Sequence, residues 1–119
     1  MKMALEYTVV SGGSAVMERT FAGTPMEMVT LYHDKGGKLA LTHYCMLHNR
    51  PHLVMTKSDK KSITLNLDKK GEIDPKTESH MNSLVLTFVG KNELEQLWTH
   101  YIDGKAQEPH AMRFKRVAK

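Results

Sequence analysis

The sequence contains a single cysteine, Cys45, in 119 residues. No disulfide can therefore form within the chain, which excludes a disulfide-stapled scaffold and suits a reducing compartment. Long apolar runs are also missing. The opening residues, Met1-Lys2-Met3-Ala4-Leu5-Glu6, hold no hydrophobic stretch of signal-peptide length, and no segment approaches a membrane span. A cytoplasmic protein with no membrane partner is expected. No internal repeat, low-complexity tract or alternation of strands with helices is present, so solenoids and parallel α/β folds are disfavoured. Charge of one sign is not concentrated either. Seventeen Lys and Arg against thirteen Asp and Glu leave +4, and the densest groups are Lys57, Lys60, Lys61 and the tail Arg113, Lys115, Arg116, Lys119. A nucleic-acid reader gathers such residues on one face with aromatics between them. No nucleic-acid partner is expected.

What the sequence does have is an ordinary globular balance of 40% hydrophobic and 25% charged residues, at the length of one domain. A chain of this size buries enough surface for a core without metal or disulfide. A single domain over 1–119 follows.

The glycines divide the chain into strand-like pieces. Gly12-Gly13 separates two runs rich in β-branched and aromatic residues, and such a pair supplies the positive φ angles of a tight hairpin turn. With Ser11 opposite Ser14, Glu6 falls opposite Arg19, an opposite-charge cross-strand pair. Residues 26–33 and 39–45 flank a second such turn, Lys35-Gly36-Gly37-Lys38. Further strands are expected at 52–56, at 63–67 with clean period-two alternation, at 84–89 and at 111–117. Residues 94–102 are ambiguous. Leu94, Leu97, Trp98 and Tyr101 have helical spacing, whereas Thr99, Tyr101 and the hairpin turn Asp103-Gly104 favour a strand, the reading adopted here. Between Asp68 and Ser83 the pattern lapses. Asp74-Pro75 resembles an N-cap and first helical position, so a short helical turn near 75–80 is expected within a long loop suited to a lid or binding role.

Eight or nine short antiparallel strands joined mostly by tight turns make an all-β meander, which must curl or pack to hide its apolar face and its edges. Residues 13–18, 26–33 and Leu39-Ala40-Leu41-Thr42-His43-Tyr44-Cys45, followed by His80-Met81-Asn82, Trp98-Thr99 and Asp103-Gly104-Lys105, resemble a family of uncharacterised bacterial lipocalin-like (calycin-type) proteins. The likeness runs over about residues 8–116. It implies a calycin-type barrel and no established activity, since that family is a domain of unknown function. Barrels of this kind usually open with a Trp-containing strand before the first hairpin, whereas the only tryptophan here is Trp98. That departure implies a barrel open along one edge, and an unpaired edge invites a second copy, so a homodimer is expected.

Polar residues embedded in apolar strands are the candidates for chemistry. His43 and Cys45, two apart, share a side with Leu39 and Leu41. If Asp34 faces Leu39, then Met28, Thr30 and Tyr32 join them, whereas a one-residue slip substitutes Val29, Leu31 and His33. The first register is preferred because a ligand-holding barrel combines apolar walls with a few polar groups. The candidate ligand-binding set is Met28, Tyr32, His43, Cys45, His80 and Trp98. Each has a plainer reading: His43 as a satisfied core histidine, Cys45 as a small inert core residue, His80 as a loop cap, Trp98 and the methionines as core filling. Tyr32 and Tyr44 fall on opposite sides of the sheet, so only one of them is expected inside. Zinc ligation by His33, His43, Cys45 and His80 would need a convergence that only the His43/Cys45 pair suggests. No metal or cofactor is expected.

Three functions are compatible with this pattern. The favoured one is binding of a small, largely apolar ligand inside the barrel. The alternatives are a small enzyme using His43 as general acid or base, or a structural oligomerising module. The enzyme reading lacks a partner acid, because Glu18 and Glu27 are the nearest strand carboxylates and nothing in the sequence places them inside.

Overall fold

The structure is a computed structural model that describes residues 4–117. Its strands are β1 (Leu5–Val10), β2 (Ala15–Thr20), β3 (Met28–Lys35), β4 (Lys38–Tyr44), β5 (His52–Ser58), β6 (Ser62–Leu67), β7 (His80–Val89), β8 (Glu93–Ile102), β9 (Lys105–Ala106) and β10 (His110–Lys115). They form one antiparallel sheet in the order β1-β2-β3-β4-β5-β6-β7-β8-β10, with β9 also paired to β8, and the sheet curls into a half-barrel. Because β9 and β10 both pair with β8, they are one strand interrupted at 107–109, where three residues oppose Thr99 and His100. Pro109, which has no N–H to give a ladder, sits in that bulge. Counted this way the meander has nine strands, as the sequence suggests.

Turn chemistry sets the registers. Ser11–Gly13 forms a short 3-10 turn in which Ser11, Gly12 and Gly13 all have positive φ, conformations that glycine adopts without steric cost. It fixes Val10 opposite Ala15 and Glu6 opposite Arg19, where the guanidinium donates to the Glu6 carboxylate at 3.0 Å and to Glu27 at 2.6 Å. The β3–β4 turn puts Asp34 opposite Leu39, the preferred register. Residues 94–102 are strand, and positive φ at Asp103 and Gly104 turns the chain back into β9. Residues 75–77 form only one hydrogen-bonded turn, closed from the Glu78 N–H to the Asp74 carbonyl at 2.9 Å, and do not reach a helix.

Alternation along each strand gives the half-barrel an inner and an outer face. Leu41, Leu53, Leu65 and Leu84, on β4 through β7, are buried on the inner face with Tyr32, Leu86, Trp98 and Met112. Each such leucine contributes about 1.5–3 kcal/mol by leaving water. The long loop is anchored rather than loose. Ile73 is buried, and Asn49 Nδ2 donates to Glu78 Oε2 and to the Ser79 carbonyl. No helix among the described residues is long and apolar enough to cross a membrane.

Candidate functional site

Directly opposed residues of antiparallel strands share a face, and the registers align four polar side chains across the inner face. Tyr7 on β1 opposes Glu18 on β2, Glu18 opposes Thr30 on β3, and Thr30 opposes His43 on β4. Gln96 and Trp98 reach toward this row from β8. Glu18 is fully buried, and its Oε2 accepts hydrogen bonds from the Tyr32 hydroxyl at 2.8 Å and from Gln96 Nε2 at 2.9 Å. Thr20 donates to its other oxygen at 3.4 Å. Gln96 Nε2 also donates to the Tyr7 hydroxyl at 3.2 Å, and Gln96 Oε1 accepts from Trp98 Nε1 at 3.1 Å. No cation pairs with Glu18 among the described residues; neutral donors alone satisfy it. Such a cluster is tolerable inside a core only because each member is bonded.

The electrostatics follow from burial beside that carboxylate. Desolvation, then the charge of Glu18, push the Tyr32 hydroxyl well above the usual phenol range and raise Tyr7 in the same way. Tyr7 keeps 44% of its surface exposed, but its hydroxyl end lies inside the cluster. Burial alone lowers His43 to about 4, so its ring is neutral near pH 7. His43 Nδ1 shares a 2.7 Å hydrogen bond with the Thr30 hydroxyl, and the ring packs on Trp98 with centroids 4.8 Å apart.

Next to the polar cluster, the inner face leaves an apolar cavity of about 270 Å³ that is open to solvent, with the exposed Tyr7 and Phe88 in its wall. Its wall includes the rings of Tyr7 and Tyr32 together with Val16, Ile63, Leu86 and Leu94. The tyrosine hydroxyls are held by the Glu18–Gln96 cluster, so the cavity presents apolar surface only.

Tyr32, His43 and Trp98, from the set expected on sequence grounds, come together inside, and Tyr44 is exposed as its opposite parity requires. Of the whole set only Tyr32 lines the cavity. Met28 is half-buried at the start of β3, opposite Thr20. Cys45 is half-buried in the turn after β4, where its N–H donates to the Asn49 carbonyl. His80 opens β7 rather than ending a loop. It is fully buried, bonded through Nδ1 to the Glu78 carbonyl at 2.6 Å and through Nε2 to Asn82 Oδ1 at 2.9 Å. No group of three or more His, Cys, Asp or Glu among the described residues is placed to hold a metal ion.

Glu18 is the main correction, since it lies inside. The signal was present: the register that sends Glu6 and Arg19 outward puts Glu18 on the other face, with Tyr7 and Val16. Gln96 was similarly legible from strand parity with Leu94 and Trp98. A carboxylate and an amide on an apolar face simply run against composition-based expectation.

Fold and interior together define an antiparallel β half-barrel with an apolar cavity roofed by a buried carboxylate–tyrosine–glutamine cluster. No protein-family model, curated protein or solved structure matches the chain.

Proposed function

We propose that the protein binds a small, largely apolar molecule in this cavity, as a member of the lipocalin-like group its sequence resembles. The carrying observation is an apolar hollow of about 270 Å³ in whose wall the polar Tyr7 and Tyr32 hydroxyls are already committed to Glu18 and Gln96. Such a wall gains free energy from apolar contact and offers a polar ligand little. His43 supports binding over catalysis, because a histidine lowered to about 4 is a weak base at neutral pH and a poor match to general-base work. The neutral fluorescent probe N-phenyl-1-naphthylamine tests the reading. It should bind with one-to-one stoichiometry, and Leu86→Trp, which fills the cavity, should abolish binding in a folded protein. Absence of binding, or binding that Leu86→Trp leaves intact, would overturn it.

A second copy of the chain pairing along β1 is part of the same proposal. Among the described residues the strand Leu5-Glu6-Tyr7-Thr8-Val9-Val10 has a free edge; it holds no proline or lysine, and Val9 is 68% exposed. The opposite edge, β10, carries Arg113 and Lys115 and follows Pro109, the usual guards against pairing. Light scattering coupled to size exclusion should show a dimer at tens of micromolar and a monomer for Thr8→Pro; a wild-type monomer would refute it.

A further inference from the structure

Alternation along β8 leads away from the apolar cavity to a second group of polar residues. Leu94 lines the cavity, Gln96 and Trp98 belong to the buried cluster, and His100 follows with the same parity. His100 Nε2 lies 2.7 Å from the Ser79 hydroxyl, and in the tautomer protonated at Nδ1 it accepts from that hydroxyl. Both residues are half-buried, so they keep contact with solvent. The backbone that carries Ser79 is fixed on either side. Asn49 Nδ2 donates to the Ser79 carbonyl at 2.8 Å, and His80 Nδ1 bonds the Glu78 carbonyl at 2.6 Å. The Glu78 N–H donates to the Asp74 carbonyl at 2.9 Å. The Ser79 N–H forms no hydrogen bond among the described residues. Asn49 Oδ1 is the one buried side-chain oxygen or nitrogen without a partner among them. A buried acceptor with no donor costs stability, so its place beside Ser79 points to a donor supplied from outside the chain.

We propose that Ser79 and His100 form a nucleophile–base pair that hydrolyses small neutral carboxylic esters, at a site separate from the apolar cavity. Ser79 Oγ bonds to the ester carbonyl carbon while its proton passes to His100 Nε2. The carbonyl oxygen gains the negative charge, and the unengaged Ser79 N–H is the donor available to it. The bond to the alcohol oxygen then breaks, and the alcohol leaves with the proton held on His100. Water repeats the sequence on the acyl-serine, which releases the carboxylic acid and restores the hydroxyl. The Glu78 carboxylate, held by Asn49 Nδ2 at 2.9 Å, stands next to Ser79 in the chain and disfavours anionic esters. No carboxylate bonds His100 Nδ1 among the described residues, so the pair is a dyad, and slow turnover is expected of it.

A fluorophosphonate, whose fluoride a serine Oγ displaces, tests the pair on the wild-type protein. One adduct per chain is expected, located at Ser79 by peptide mass spectrometry. Ser79→Ala should abolish labelling. His100→Gln should slow it by about a hundredfold, the lower end of what a positioned base contributes, and p-nitrophenyl acetate hydrolysis should fall with it. His33→Gln removes an exposed histidine on β3 and should keep both rates, which separates the pair from the general reactivity of imidazole toward activated esters. Circular dichroism identifies the variants that fold, and the wild-type adduct needs no variant at all. No adduct, an adduct at another residue, or a labelling rate that folded His100→Gln leaves unchanged would overturn the inference. N-phenyl-1-naphthylamine binding reports on the cavity independently of each of these outcomes.

Discussion

The β7–β8 and β4–β5 pairs are built from the same kind of sequence and end in opposite conditions. β7 and β8 are each ten residues long and stay paired from His80–Tyr101 to Val89–Glu93 around one extra residue at Asn82, joined by a tight turn. β4 and β5 are seven residues each and meet over three residue pairs. Leu84 and Trp98 are buried where the first ladder runs full, whereas Leu39 is half-buried where the second gives out. The connection makes the difference. A tight turn starts the β7–β8 ladder at once, while β4 and β5 are joined by a loop from 45 to 51. One wall of the half-barrel is rigid by ladder, and the other is held by a short clasp beside a cavity.

The largest expected effect contrasts these walls. Leu84→Ala should destabilise the protein by about 3 kcal/mol, whereas Leu39→Ala should cost under about 1 kcal/mol because its side chain already borders open space. Urea unfolding measures both, and equal costs would erase the distinction between ladder and clasp.

His43 joins the two walls by packing from β4 onto Trp98 of β8. Its folded pKa of about 4 lies below the ordinary 6.5, so the fold favours the neutral ring. Its contribution is complete above about pH 6.5, is lost as pH falls toward 4, and amounts to about 3 kcal/mol. A His43→Leu variant should flatten that part of the stability–pH curve; an unchanged slope would mean that His43 does not carry it. A smaller effect is expected at Tyr32, where Tyr32→Phe removes one donor to Glu18 and should cost about 1–2 kcal/mol in thermal or urea unfolding. A neutral result would show that Glu18 is satisfied without it.

Much of this was legible from residues alone. The Gly12-Gly13 and Gly36-Gly37 turns with period-two alternation locate the strands, and the Glu6–Arg19 pair locates the first register. Tyr32, His43 and Trp98 follow by parity. The short β4–β5 pairing was not legible. Nothing local to Leu39 or Met55 says that they fail to pair, because pairing is settled between strands and not within either one. Glu18 differs: strand parity puts it inside, but its Gln96 donor lies 78 residues away and only the curl of the sheet brings it there.

The central claim is an apolar binding site on the inner face beside the Glu18 cluster. Methyl-resolved solution NMR with N-phenyl-1-naphthylamine addresses it most directly. The account predicts intermolecular contacts from the probe to the Val16, Ile63, Leu86 and Leu94 methyls, with the largest amide shifts in the strands that carry them. Contacts confined to exposed Val9 and Val117, with no shift at Val16 or Leu86, would contradict it.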